Sequence, residues 1–194
     1  MNFLIFCIFV FVWMQTVFTS SFETFECYIH NNEYKNEYLY VTDEKLLNMN
    51  SRFQNYRDQK VVVYPIEFIE NLDLFKWDIK KVDPEKNIYL IQNQNEYLCS
   101  TDSHLDYFQM RRKVNMFRLN EEDMVMGDEY NKCLWRLEKL DENNSKLYKV
   151  WNFQFGEPLY AAIKNDLNDT RNIFTWYKPR DSNIFVWQFD CLDN

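Results

Sequence analysis

Apolar and polar residues alternate around three tryptophans of the chain. The alternating apolar sets are Phe75, Trp77 and Ile79; Cys133, Trp135 and Leu137; and Phe185, Trp187 and Phe189. A period of two predicts a strand that buries one face. The middle set also fits a helix, because Cys133, Leu137 and Leu140 have helical spacing. The first and third sets favour strands, since the segment from Val186 to Phe189 is β-branched and aromatic.

These tryptophans belong to a threefold repeat. Each is followed by an apolar residue two positions later, another five later and an Asp six later, and successive tryptophans lie 58 and 52 residues apart. A Glu-x-Leu motif precedes each one, at Glu37–Leu39, Glu96–Leu98 and Glu157–Leu159. A third motif opens each unit, at Tyr28, Tyr89 and Tyr148. Such ordered self-similarity indicates a repeat architecture.

The repeat also predicts the domain organisation. A unit of this length has room for four short strands, and the polar stretches 48–59, 121–128 and 164–172 are the expected loops. We therefore predict one all-β domain over residues 21–194, with repeats near 25–83, 84–141 and 142–194.

Three four-stranded units with pseudo-threefold symmetry resemble a β-trefoil. In that fold the first and fourth strands of each unit form a barrel, and the second and third form a hairpin cap. The Trp-x-apolar segments are similar to the Gln-x-Trp strands of ricin-B-type repeats, but Phe75, Cys133 and Phe185 replace the glutamines. This replacement argues against lectin activity. The chain also resembles the small secreted arthropod trefoil proteins of the salivary, cysteine- and tryptophan-rich kind.

The resemblance implies a role for the repeated tryptophans. Trp77, Trp135 and Trp187 would point into the barrel, where each would remove about 150–250 Å² from water. We therefore expect these three residues to form the core and not a ligand platform.

The N-terminus has a different pattern. Residues 3–14 form an almost unbroken apolar run, followed by small residues at 19–21. The run is shorter than the roughly 20 residues of a membrane-spanning helix, and it predicts a secretory signal peptide over residues 1–20. A buried strand and a signal anchor are the alternatives. No later run is long enough to span a membrane, so we predict a secreted, extracellular protein.

Secretion would allow the cysteines to form disulfides. Cys27, Cys99, Cys133 and Cys191 would enter an oxidising compartment, where an even number predicts disulfides. Four cysteines allow three pairings, and spacing alone does not choose among them. The trefoil resemblance places the first strand beside the last, which implies the pairs Cys27–Cys191 and Cys99–Cys133. Two sequons predict glycosylation of Asn143 and Asn168.

Composition and charge exclude several classes of protein. With 46% hydrophobic residues and two glycines, the chain is neither disordered nor collagen-like. The net charge of −8 argues against a nucleic-acid binder and against a heparin-dependent growth factor, because both need a basic face.

The sequence offers little for catalysis. Cys99 and His104 are a candidate nucleophile and base, but a disulfide-bonded cysteine cannot attack a substrate. Serine-hydrolase, zinc-protease and phosphate-loop motifs are absent. The acidic residues between Glu121 and Glu129 fit a solvated loop better than a calcium site, because EF-hand spacing is missing. We therefore predict a non-enzymatic protein without cofactor or metal.

Binding is the remaining function class. Trp151 and Trp176 are the mature tryptophans outside the repeat, and Trp176 precedes Tyr177 and Arg180 on a predicted hairpin tip. Aromatic faces beside a guanidinium suit sugars, flat ligands or a protein hot spot, although a hairpin contact that closes the barrel is the alternative. We predict a monomeric binding protein that contacts an extracellular protein or glycan through Trp151, Trp176, Tyr177 and Arg180.

Two other functions use the same scaffold. A Kunitz-type protease inhibitor would present a rigid loop, for which the candidates are 43–45 and 110–112. A carbohydrate-binding lectin is the second alternative.

Overall fold

The computed structural model describes most of the predicted mature chain. The described residues are 23–45, 59–68, 72–104, 110–119, 127–141, 146–162, 171–178 and 182–192. The predicted signal peptide, both sequon asparagines (Asn143 and Asn168) and Arg180 lie outside these ranges. Within them no helix combines the length and the hydropathy needed to span a membrane.

Strands dominate the described residues. They are β1 (Thr24–Asn31), β2 (Glu37–Lys45), β3 (Gln59–Pro65), β4 (Lys76–Asp83), β5 (Ile88–Asn93), β6 (Glu96–His104), β7 (Arg111–Phe117), β8 (Leu134–Lys139), β9 (Leu147–Asn152), β10 (Leu159–Ala161), β11 (Arg171–Trp176) and β12 (Val186–Cys191). Within the described residues, helical structure is limited to α1 (Asp128–Lys132) and to 3₁₀ turns at Ile66–Phe68, Leu72–Phe75 and Asn183–Phe185. The middle tryptophan segment is therefore the strand β8, and its helical alternative is wrong.

Six strands close a barrel and six form its cap. Antiparallel pairing runs β1–β4–β5–β8–β9–β12 and returns to β1. The hairpins β2–β3, β6–β7 and β10–β11 lie at one end, where β3, β7 and β11 pair with one another. This is the β-trefoil that the repeat predicts. Its first unit comprises strands β1 to β4, its second unit strands β5 to β8 and its third unit strands β9 to β12.

The three repeated tryptophans form the centre of the core. Trp77, Trp135 and Trp187 are fully buried. Each indole Nε1 donates a hydrogen bond to the leucine carbonyl of a Glu-x-Leu motif, at 3.0 Å to Leu39, 2.7 Å to Leu98 and 2.9 Å to Leu159. The two motifs recur together because one supplies the buried donor and the other its acceptor, and an unpaired buried polar group is costly.

A buried asparagine ends the first strand of each unit. Asn31, Asn93 and Asn152 are each less than 5% exposed, and their side-chain amides donate to carbonyls just before the tryptophan strand of the preceding unit. Because Asn31 belongs to the first unit and reaches the carbonyls of Ile184 and Val186, this contact also joins the two ends of the chain.

The third sequence motif is one residue out of register in the first unit. The residues opposite Trp77, Trp135 and Trp187 on the opening strands are Cys27, Tyr89 and Tyr148. The structural equivalent of Tyr89 is therefore Cys27 and not Tyr28. A one-residue shift along a strand moves a side chain to the opposite face.

Two disulfides cross-link the barrel. Cys27 bonds to Cys191 across the first and last strands, and Cys99 bonds to Cys133 within the second unit. This is the pairing that the trefoil resemblance implies. Closing loops of 164 and 34 residues restricts the unfolded chain most strongly for the first bond.

Candidate functional site

The catalytic candidates do not form a reactive pair. Cys99 has no thiol, because its sulfur is bonded to Cys133. His104 lies exposed at the end of β6. The described residues contain no group of three or more His, Cys, Asp or Glu side chains that would suit a metal ion.

The candidate inhibitor segments lie in strands. Residues 43–45 end β2, and Arg111 and Arg112 begin β7. The guanidinium of Arg112 lies over the ring of Phe155 at 3.9 Å, its Nε donates to the Glu157 carboxylate at 3.0 Å, and its Nη1 donates to the carbonyl of Asp102. These contacts hold the arginine against the protein, whereas a protease inhibitor must offer its side chain to an enzyme pocket.

Strand register brings the two tryptophans outside the repeat into one line. Arg136 pairs with Trp151, Trp151 with Pro158, and Trp176 with Arg111. The backbone N–H of Trp176 donates to the Pro158 carbonyl at 3.2 Å, which joins the two halves. We call this line the Trp row. Directly opposed residues of antiparallel strands share a sheet face, and at about 5 Å a step the row spans roughly 20 Å.

Trp151 and Arg136 of the Trp row lie on the outer face of the sheet, whereas Pro158 between the two tryptophans is buried. Trp151 follows the buried core residue Val150, and Arg136 follows Trp135, so the alternation along each strand directs the row outward. The Arg136 side chain is 54% exposed and its guanidinium lies 5.7 Å from the Trp151 ring. The Trp151 Nε1 is buried without a hydrogen-bond partner among the described residues.

Trp176 has a structural contact as well as an exposed part. Its ring stacks on Phe185 at 6.2 Å and approaches Tyr160 at 5.8 Å. Arg111 donates from Nη1 to the Tyr160 hydroxyl at 3.1 Å and lies over Phe174 at 5.0 Å. The hairpin contact that the sequence offered as the alternative for Trp176 is therefore present, and the indole still remains only half-buried.

Exposed apolar side chains extend the edge of the Trp row. Met110, Phe153 and Tyr177 are 38%, 46% and 44% exposed, and each is near a row residue in sequence. The ammonium of Lys178 lies 5.1 Å from the Tyr177 ring. The structure thus brings together Trp151 and Trp176 of the predicted contact residues, and Tyr177 follows Trp176 just beyond the end of β11.

A glycine turn and a buried carboxylate position the Trp row. Gly156 adopts φ +61°, a left-handed conformation that suits glycine, and its N–H donates to Asn152 at 2.9 Å. This turn brings Pro158 back beside Trp151. The next residue, Glu157, is buried and accepts from Arg112 and, at 2.8 Å, from Thr175, the neighbour of Trp176.

The pseudo-threefold symmetry places two equivalent rows elsewhere. The His row comprises Gln188, His30, Tyr38 and Tyr64. The Asp row comprises Asp78, Gln92, Tyr97 and Phe117. All three rows carry aromatic side chains, but among them arginine and tryptophan occur in the Trp row alone.

His30 of the His row is buried and lies beside the partly exposed carboxylate of Asp190. His30 Nε2 lies 3.3 Å from Asp190 Oδ2, and its ring lies 5.1 Å from that of Tyr38. Burial lowers the pKa of His30, although the Asp190 carboxylate opposes this shift. Hydrogen bonds from Gln188 and Lys146 lower the pKa of Asp190, although burial opposes them.

The sequence predictions do not include three residues of the Trp row in the candidate contact surface. Pro158 and Arg136 were read only as parts of the repeated motifs, and Arg111 as part of an inhibitor loop. Arg136 follows the repeated Trp135 directly, so its outward direction was readable from the period of two. The neighbours across the strands were not, because they depend on pairing between distant segments.

Comparison with known proteins supports the fold. No family model matches the chain, and no curated protein matches it. A Caenorhabditis elegans protein of unknown function aligns over 89% of this chain and 97% of its own, with 13% identity and a TM-score of 0.59. The designed three-fold symmetric protein ThreeFoil aligns over 86% and 99%, with 16% identity and a TM-score of 0.58.

A lectin has the same fold. The Polyporus squamosus lectin, solved with a human-type influenza-binding epitope, aligns over 87% of this chain and 50% of its own, with 17% identity and a TM-score of 0.58. These identities are low, so the likeness concerns the fold. No comparison tests the resemblance to arthropod salivary proteins, which stays a prediction. The closed barrel, the three-hairpin cap and these neighbours together identify the chain as a β-trefoil protein.

Proposed function

We propose that this chain is a secreted, non-enzymatic binding protein that contacts an extracellular ligand through the Trp row. The observation that carries the proposal is the difference between the three outer rows. The scaffold repeats the same cross-strand line three times, but two half-buried tryptophans with an arginine at each end occur in one line. Packing of the scaffold does not require tryptophan at these two positions, because the other rows carry His30 and Gln92 at the first and Tyr64 and Phe117 at the second.

The composition of this surface also supports a binding role. Tryptophan, tyrosine and arginine are the residues that carry most binding energy in protein interfaces. Trp151, Trp176, Arg111 and Arg136 belong to this group and lie in one line, and the exposed Tyr177 follows Trp176 in sequence. The two disulfides are compatible with an extracellular protein.

The Kunitz-type alternative has no supporting observation. The sequence candidates lie within strands, and Arg112 is held by Glu157, Phe155 and Asp102. A carbohydrate ligand has a specific observation in its favour, which is the chemistry of the Trp row itself, and it is argued in the next subsection.

A capture experiment with matched variants tests the proposal. The disulfide-bonded protein is immobilised and exposed to the fluid into which it is secreted. We expect bound material to be lost when Trp151→Ala and Tyr177→Ala are combined. The control combines Gln92→Ala and Tyr64→Ala at outer-row positions, of which Gln92 is the equivalent of Trp151. Equal capture by both double variants would overturn the assignment of the Trp row.

A further inference from the structure

We infer that the ligand of the Trp row is an oligosaccharide that carries carboxylate or sulfate groups. This inference rests on the proposed function and names the ligand class of the same surface. Its basis is the order of side chains along the Trp row, in which tryptophan, proline and tryptophan lie between two arginines.

The two indoles suit sugar rings. An aromatic face carries partial negative charge, which attracts the polarised C–H groups on the apolar face of a pyranose. Trp151 and Trp176 are separated by one strand position, a distance of about 10 Å. A chain of sugar rings laid along the row meets an indole at two places.

The ends of the row favour an anionic ligand. Arg136 and Arg111 lie roughly 20 Å apart at the two ends, and Lys178 adds a third cation beside Tyr177. A guanidinium binds a carboxylate or sulfate in a forked geometry, which a neutral sugar does not offer. The equivalent position to Arg136 is Asp78 in the Asp row and Gln188 in the His row. The cation at the Arg136 end is therefore particular to this row among the described residues.

The shape of the surface favours a saccharide over a protein. A stable protein interface buries about 800 Å² on each partner. Here both indoles are already more than half covered by their own neighbours, and the next register position along β8 and β9 is the charged pair Glu138 and Lys149. The Glu138 carboxylate, 4.0 Å from Arg136, is placed to accept hydrogen bonds from sugar hydroxyls. A narrow apolar strip between charged groups fits a thin polar chain.

Paired glycans test the inference. The purified disulfide-bonded protein is titrated with a sialylated glycan and its desialylated form, a sulfated hexasaccharide and its desulfated form, and a uronate oligomer and its reduced form. We expect each anionic member that binds to do so at least about tenfold more tightly than its neutral partner, because hydrogen bonds to charged groups are stronger than neutral ones. Binding should weaken as salt is raised.

Variants locate the binding. Arg111→Gln combined with Arg136→Gln should remove the preference for the anionic member, and Trp151→Phe should weaken binding of both members of a pair. Lys86→Gln removes an exposed charge on the β4–β5 turn and should change neither. Thermal unfolding of each variant distinguishes a lost site from a lost fold. Because Trp176 packs on Phe185, it is left unchanged.

The outcomes separate the two proposals. Equal binding of neutral and anionic members, or a preference that survives the arginine substitutions, would contradict the anionic saccharide. If no glycan binds while the Trp151→Ala and Tyr177→Ala variant still loses its captured partner, the ligand class is wrong and the proposed function stands. If capture also persists in that variant, both fail.

Discussion

The second and third units of the barrel share a scaffold and differ in the residues it presents. Both bury a tryptophan that donates to a leucine carbonyl, and both end their first strand with a buried asparagine. The outer rows differ, because the Asp row carries Asp78 and Gln92 at the positions that Arg136 and Trp151 occupy in the Trp row. Inward positions are constrained by repeated packing, whereas outward positions are available for function.

The same units also differ in how they hold the cap. Arg112 of the second unit lies between the Phe155 ring and the buried Glu157 of the third unit. Arg171 of the third unit lies in the same way between Tyr34 and Glu37 of the first unit. The second unit replaces it with Arg118, 74% exposed, on Glu96. Its connection from Asn93 to Glu96 is short and contains no aromatic residue.

A third difference is covalent. Cys99 and Cys133 occupy the positions of Tyr160 and Phe185 in the third unit and of Tyr40 and Phe75 in the first. The ring centroids of these pairs lie 5.4 Å and 4.9 Å apart. One disulfide thus occupies the place where each of the other units packs two rings. We expect the differences between the units to contribute unequally to the free energy of unfolding.

The salt bridges of Arg112 and Arg118 should show the largest difference in their contributions to the free energy of unfolding. Arg112→Met leaves Glu157, which is 4% exposed, without its charged partner, and we expect a loss of about 3–5 kcal/mol in the free energy of unfolding. Arg118→Met removes an exposed partner and should cost about 0–1 kcal/mol. Urea unfolding of the two variants measures the difference. Similar losses would show that the second unit depends on its salt bridge as strongly as the third.

The disulfide of the second unit should have the next largest effect. We expect Cys99→Ala combined with Cys133→Ala to lower the free energy of unfolding by about 2–4 kcal/mol, mainly through the freed unfolded chain. Tyr40→Cys combined with Phe75→Cys transfers the disulfide to the first unit. A free-thiol assay should find that the transferred pair oxidises, and persistent free thiols would contradict the equivalence of these positions.

The buried indoles should behave alike in all units. Trp135→Phe and Trp187→Phe each leave a leucine carbonyl without its buried donor, and we expect a cost of about 1–3 kcal/mol from this loss in both cases. Chemical unfolding of the two variants provides the comparison. A large inequality would mean that the threefold packing is not shared equally.

The smallest effect is a pH dependence confined to the His row. Because burial lowers the folded-state pKa of His30 below its ordinary value of about 6.5, the unfolded chain binds the extra proton first as pH falls. The stabilising contribution is complete above about pH 6.5 and declines below it. The lowered pKa of Asp190 acts only below about pH 4, so the two windows are separate.

Two histidine variants isolate this effect. His30→Gln should flatten the stability profile between about pH 5 and 6.5, whereas His104→Gln, at an exposed position on β6, should leave it unchanged. Thermal melts across this range provide the measurement. The same slope in both variants would assign the pH dependence to groups other than His30.

Much of the fold was predictable because its determinants repeat along the chain. The tryptophan, the Glu-x-Leu motif and the period of two specified inward-facing strands in three places, and the implied disulfides follow from the closed barrel. The register of the third motif was not predictable. Cys27 occupies the position of the repeated tyrosine in the first unit, and the adjacent Tyr28 looks in the sequence like that tyrosine. The two tryptophans of the candidate site were predictable from the sequence. The residues that lie beside them on neighbouring strands were not.

By itself, the sequence determined which side chains of this protein face inward, since burial of apolar surface acts on local alternation and is legible in each strand. Tertiary structure alone decided which outward side chains meet. Arg136, Trp151, Pro158, Trp176 and Arg111 come from four strands and one turn, and only barrel closure and hairpin pairing align them. The sequence of a single strand does not show which residues of a distant strand lie opposite it. The surface that we propose for binding therefore forms only in the folded chain.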